Sequence, residues 1–269
     1  MHSFASSIIS ISSRRVAAIA FVLAAVAPAQ AQTTTSSPAV APFSNVFISV
    51  GTFYIDATRL NERFARSDLL LQVPPKRTGF DAIANHGYAT GVGGYFPFGR
   101  VLIGGEFQYA DLGSESSPTG KTNQLKTTYF LGQVGYAAWT GWRFTLYPFL
   151  GIGAGNLTLT LKDRTGGASL PASANPTFDD VVLSPGAKSD MTGFYVLVQP
   201  GIGFDYLVLR NDKDHVGISL GVRVTTAISP HRTTWKYMGN EVFGGPDAGP
   251  TSSSIRLSLG IGGFRIGGK

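Results

Sequence analysis

The chain has 269 residues, of which 14% are charged against roughly 25% in ordinary soluble domains, and its 34 glycines stand well above the average share. It contains no cysteine, which excludes disulfide frameworks, thiol catalysis and cysteine-based zinc or iron–sulfur sites. The four histidines (His2, His86, His215 and His231) form no pair at ligand spacing, so neither a metal nor another cofactor is expected, and the dispersed net charge of +6 points to no nucleic-acid partner.

Residues 1–31 have the form of an export signal, with Arg14 and Arg15 as the positive region, an apolar stretch from Val16 to Ala27, and Ala29-Gln30-Ala31 as a small-x-small cleavage site. The apolar stretch is too short for a helix that spans a bilayer, which needs roughly 20 residues. Residues 32–43 are polar and proline-containing and form a flexible lead-in. The remaining chain, 44–269, is expected to be a single β-barrel domain.

Eight stretches within it are rich in β-branched, aromatic and glycine residues with partial period-two alternation, at about 45–56, 84–97, 101–110, 125–138, 145–161, 192–207, 216–227 and 254–266. The links after the second, fourth and sixth stretches are short. Those after the first, third, fifth and seventh are long: roughly 57–83, 111–124, 162–191 and 228–253. Strict alternation of short and long links between an even number of strands predicts an all-β, eight-stranded, antiparallel, up-and-down transmembrane β-barrel with both termini on the periplasmic side.

The alternation of side chains supports this. Val216, Ile218, Leu220, Val222 and Val224 share a face opposite Gly217, Ser219, Gly221, Arg223 and Thr225; Ile255, Leu257, Leu259 and Ile261 likewise oppose Arg256, Ser258 and Gly260. Phe194, Val196, Val198, Ile202, Phe204 and Tyr206 oppose Gln199 and Asp205, and Val101, Ile103, Phe107 and Tyr109 oppose Glu106 and Gln108. Apolar outside and polar inside is the pattern of a lipid-embedded barrel. The first, fourth and fifth stretches resist it, since Phe47, Phe53 and Ile55 share a phase with Ser49 and Gly51, while Leu157, Leu159 and Leu161 are out of phase with Leu150 and Ile152. Bulges or extensions beyond the membrane would account for all three.

The inward charges Glu106, Asp205, Arg223 and Arg256 form the expected lumen network. Glu106 should pair with Arg223 across a narrow interior, or failing that with Arg256, and plug it; Asp205, near the periplasmic end, should be solvated. Tyr95, Phe96, Trp139, Trp142, Tyr147, Phe204 and Tyr206 cluster near the short links and are expected to form an aromatic girdle at the membrane interface. The abundant glycine suits the inner face of so narrow a barrel.

The stretches YPFLGIGAG at 147–155, FYVLVQPGIGFDY at 194–206 and IRLSLGIGGF at 255–264 resemble the small outer-membrane barrels of the OmpA-type and opacity-protein-type porin family, the outer membrane protein beta-barrel domain. The resemblance covers about 44–266. It implies residence in a Gram-negative outer membrane, contact with its lipid and lipopolysaccharide, insertion by the barrel-assembly machinery, and a surface ligand for the long loops. Family members typically end on an aromatic residue, whereas this chain continues past Phe264 to Arg265-Ile-Gly-Gly-Lys269.

Two chemical motifs compete with that picture. Gly217-Ile218-Ser219-Leu220-Gly221 matches the serine-hydrolase pattern G-x-S-x-G, which needs a sharp strand-to-helix turn, yet the alternation runs straight through it. Ser229 and His231 open the fourth long link, where a lipid A-modifying enzyme could carry its site. The third alternative, a soluble lipocalin-like ligand-binding barrel, requires charges outside and apolar residues inside. The expectation is a non-enzymatic outer-membrane barrel with an envelope-structural and surface-interaction role and at most a narrow pore.

Overall fold

The computed structural model describes residues 42–65, 79–118, 120–141, 143–164, 176–211, 216–246 and 251–263. The export signal, nearly all of the lead-in, Trp142, the middle of the 162–191 link and Phe264 to Lys269 lie outside them.

Among the described residues, eleven strands run in chain order: β1 (Asn45–Ile55), β2 (His86–Phe98), β3 (Val101–Ser116), β4 (Lys121–Tyr136), β5 (Trp139–Thr140), β6 (Phe144–Asp163), β7 (Ser189–Asn211), β8 (Val216–Arg232), β9 (Trp235–Tyr237), β10 (Asn240–Val242) and β11 (Ser252–Gly263). Two short helices interrupt them, α1 (Thr58–Ala65) and α2 (Phe178–Leu183). Eight of the strands close a ring, β1-β2-β3-β4-β6-β7-β8-β11, with β11 returning to β1. Every pairing in it is antiparallel and joins consecutive barrel strands, so the barrel is up-and-down. Closure leaves the ring without an unpaired edge.

Strand length divides the wall. A tilted strand needs about 9–11 residues to cross a bilayer. β1 and β11, at 11 and 12 residues, do little more than that, whereas β6 and β7 have 20 and 23. The extra length projects from one end, called here the capped end. The long link expected at 111–124 is therefore mostly strand, with β3 running to Ser116 and β4 starting at Lys121. The 228–253 link likewise holds the end of β8 and the hairpin β9–β10, turned by Met238 (φ 50°) and Gly239 (φ 85°). These are the positive dihedrals of the turns that match strand twist.

Of the three stretches with unclear phase, β4 slips register against β3 between Asp111 and Ser114, whereas β1 and β6 keep perfect register. β6 pairs with β7 without interruption from Phe144↔Tyr206 to Leu161↔Ser189, and β1 pairs continuously with both of its neighbours. No bulge is present in either. Leu150 and Ile152 point outward and Leu157, Leu159 and Leu161 point inward because the apolar face changes sides along one straight strand. Below Asn156 the wall has an apolar exterior, and above it an apolar interior.

That upper interior is a packed core. Leu125, Leu157, Leu159, Leu161, Met191 and Leu197 of the strands meet Leu60 and Phe64 of α1, Phe178, Val181 and Val182 of α2, and Trp235 of β9. α2 starts on a complete capping box, with the Thr177 hydroxyl accepting from the Asp180 amide and the Asp180 carboxylate accepting from the Thr177 amide. α1 is tied down by Asn61, which exchanges two hydrogen bonds with the backbone of Ile83 at 2.7 and 3.0 Å. Arg63 clasps the assembly, donating to the Gly244 carbonyl at 2.6 Å and to Asp179 at 3.3 Å.

Candidate functional site

Around the lower half of the ring, Val46, Ile48, Val50, Val92, Ile103, Phe130, Ile152, Ile202, Val222, Leu257 and others point away from the barrel, many more than half exposed. In water so continuous an apolar surface would be untenable, whereas facing acyl chains it is the stable arrangement. No helix among the described residues is long and apolar enough to cross a membrane.

Inside this belt lie the polar groups that the strand period turns inward. Arg223 of β8 and Arg256 of β11 are direct cross-strand partners, both fully buried. Two like charges so placed repel, and each carries a large desolvation cost. The compensation comes from across the lumen. Glu106 of β3 binds the Arg256 guanidinium through both carboxylate oxygens and lies 3.5 Å from Arg223 Nη1. Gln133 donates to the same carboxylate at 3.0 Å, and Arg256 also donates to the Ser49 hydroxyl at 3.3 Å. Glu106 thus sits between two cations, with the closer contact to Arg256.

A second carboxylate completes the balance through a phenol. Arg223 Nη2 donates to the Tyr147 hydroxyl at 2.8 Å, and that hydroxyl donates to Asp205 Oδ2 at 2.8 Å; Tyr95 donates to the same oxygen at 2.7 Å. The guanidinium of Arg223 stacks 3.6 Å above the Phe47 ring. Asp205 is completely buried, contrary to the expectation of solvation, because the two tyrosines enclose it.

Tyr95 and Tyr147 therefore depart from the expected girdle and point into the lumen. Both strands gave a signal for this: Tyr147 shares parity with Gly151 and Gly153, and Tyr95 with Gly91 and Gly93. Of the other girdle residues, Phe96, Trp139, Phe204 and Tyr206 do lie on the outer surface. The lumen has room for two tyrosines because glycine faces them. A Cβ at Gly203 would occupy the Tyr147 ring, and one at Gly221 the Asp205 carboxylate and the Ser258 hydroxyl.

Tyr129 and Gln108, joined by a buried hydrogen bond, and Gln199, which donates to Tyr129 at 3.4 Å, form a further polar layer toward the capped end. The lumen is thus filled in three storeys: an aromatic and ionic layer, a glutamine–tyrosine layer, and the apolar core under the helices.

The competing chemical motifs do not assemble. Ser219 lies mid-strand and donates to Asn45 Oδ1 at 3.1 Å, so it has no nucleophile elbow. Ser229 is buried on the inner side of the wall whereas His231 is exposed. No group of three or more metal-capable side chains occurs among the described residues.

An apolar belt, a closed antiparallel ring of eight spanning strands and a polar lumen define a transmembrane β-barrel of the outer-membrane type. No family model and no curated protein matches the chain. Among solved structures it is similar to Ail, the attachment invasion locus protein of Yersinia pestis, at 12% identity over 83% of this chain and 98% of that one, with a TM-score of 0.37. It is also similar to Neisserial surface protein A, at 11% identity over 82% and 97% with a TM-score of 0.36. A major outer membrane protein from Thermus thermophilus aligns at 9% identity over 82% and 99%, with a TM-score of 0.37.

Proposed function

We propose that this protein is an integral component of a Gram-negative outer membrane, with the capped end outside the cell and both termini periplasmic, and that it serves envelope structure and surface interaction rather than transport or catalysis. The observation that carries the reading is the filled lumen. Glu106, Arg223, Arg256, Asp205, Tyr95 and Tyr147 bridge it from wall to wall, and a packed apolar core closes it above.

The orientation is supported by the links. Those at the uncapped end are short, as periplasmic turns are, while the helices and the extra hairpin sit at the other end, where such barrels carry their larger elements. The belt takes membrane lipid and lipopolysaccharide as its surroundings, the export signal and barrel fold imply the assembly machinery as a transient partner, and the capped end is left to meet a surface ligand. No cofactor or enzymatic step belongs to this reading, and the separation of Ser229 from His231 speaks against lipid A chemistry.

Conductance of the purified full chain in a planar bilayer tests it. The expected trace shows no stable channel steps. Sustained ohmic conductance would overturn the sealed lumen and restore the narrow pore.

A further inference from the structure

Among the described residues, four prolines lie within barrel strands: Pro97 in β2, Pro148 in β6, Pro200 in β7 and Pro230 in β8. Proline has no amide hydrogen, so each one removes a ladder bond on the side its nitrogen faces. Pro97 and Pro148 do no damage. Pro97 lies past Asn45↔Tyr95, where the β1–β2 ladder ends, and Pro148 past Gly135↔Phe149, where the β4–β6 ladder ends.

Pro200 differs. It keeps its pairing with Leu150 of β6, so its nitrogen faces β8, and there the ladder breaks: Val198↔Ile228 and Gly201↔Thr225 are paired, while Gln199 and Pro200 have no partner opposite Ala227 and Thr226. Just above, the register slips between Val196↔His231 and Val198↔Ile228, which sets Ser229 and Pro230 against the single residue Leu197, a bulge with one extra residue. Every other seam of the ring runs through the belt unbroken, the single slip in β3–β4 falling at Asp111/Ser114, beyond it.

The break falls at a particular height. Outside it are the lipid-facing Val198 and Val224; inside it are Leu197, Ala227 and Tyr195, all within the apolar upper core. Below, the charged network bars the way along the axis. An apolar chain crossing the wall here would leave one apolar medium for another, and the wall it parts is already short of hydrogen bonds.

We propose that the β7–β8 seam between Val196 and Gly201 is a lateral port in which one acyl chain of a membrane lipid inserts between Leu197 and Ala227, at the rim of the apolar upper core. Gln199, whose buried Oε1 accepts no hydrogen bond from the protein, marks the polar floor of the port. The port does not require the capped end to open.

The test uses the full chain in phosphatidylcholine vesicles that contain a lipid with a photoreactive diazirine at the end of one acyl chain, with adducts mapped by peptide mass spectrometry. Outward belt residues are labelled in any case. The port predicts additional adducts on the inward Leu197 and Ala227 and none on Ala89 and Leu157, which are equally buried behind continuous seams. Pro200→Val restores the missing donor and should abolish the inward adducts while leaving those on the belt. Labelling confined to outward residues in the unaltered protein, equal labelling of all four inward positions, or inward adducts that survive Pro200→Val would each overturn the proposal.

Discussion

The lower and upper halves of this barrel are built from the same strands and obey opposite rules. In β6, Leu150 and Ile152 face outward below Asn156, while above it Asn156, Thr158, Thr160 and Lys162 face outward and Leu157, Leu159 and Leu161 face inward. The backbone does not change; the medium does. Where the outside is lipid, apolar side chains belong outside and the interior can hold charges, provided they neutralise one another. Where the outside is water, the same strand takes the alternation of a soluble sheet and needs a cover, here α1 and α2.

The comparison breaks most severely at Glu106. Removing its charge with Glu106→Gln leaves Arg223 and Arg256 opposed in a dry interior, and should lower stability by about 3–5 kcal/mol. Denaturant unfolding in lipid vesicles measures this. In a double-mutant cycle with Arg256→Gln, the paired change should cost clearly less than the two single changes together, and strict additivity would show that the charges do not interact.

The next effect distinguishes the two exteriors. Leu257→Arg places a charge in the lipid-facing belt and should cost about 2–4 kcal/mol near the bilayer midplane. Thr158→Arg, on the outward face of the upper wall, should stay within about 0.5 kcal/mol of the parent. Leu159→Ala, by contrast, opens a cavity in the upper core and should cost about 2–5 kcal/mol, because that half is held by packing.

The fold was legible in the sequence where one rule applied along the whole strand. β8 and β11 lie almost entirely within the belt and inner lumen, and their period two could be read directly. β6 was opaque because it crosses a boundary between two media and carries two opposite patterns along its length. The charged site was half legible. Parity turned Glu106, Arg223, Arg256 and Asp205 inward, but the tyrosines that enclose Asp205 were assigned to the membrane interface because aromatic composition outweighed parity. The helical cap was not legible, since α1 and α2 are too short to show a period and owe their position to tertiary contacts with Phe80, Ile83 and Trp235.

The smallest expected effect lies on the watered wall. Burial alone would raise the Asp190 carboxyl, but the Lys188 ammonium at 2.7 Å and the Thr160 hydroxyl at 2.6 Å outweigh it and hold the group below the ordinary 3.8. A carboxylate with a lowered value stabilises the fold above the unfolded-state value and loses that contribution as the pH falls through the folded one. Unfolding measured from pH 6 to pH 3 should therefore show a loss at the acid end that is slightly smaller in Asp190→Asn, with the difference between the two proteins constant between pH 5 and pH 6.

The change of sides along β6 is tested most directly by spin labels placed singly at positions 150 to 162 in the Cys-free chain, with collision rates measured for oxygen and for a water-soluble nickel complex. Labels at 150 and 152 should meet oxygen, labels at 156, 158, 160 and 162 should meet nickel, and labels at 157, 159 and 161 should meet neither. Oxygen contact at 157, 159 and 161, with the even positions shielded, would mean that the strand slips register at Asn156 and that no boundary between two media lies there.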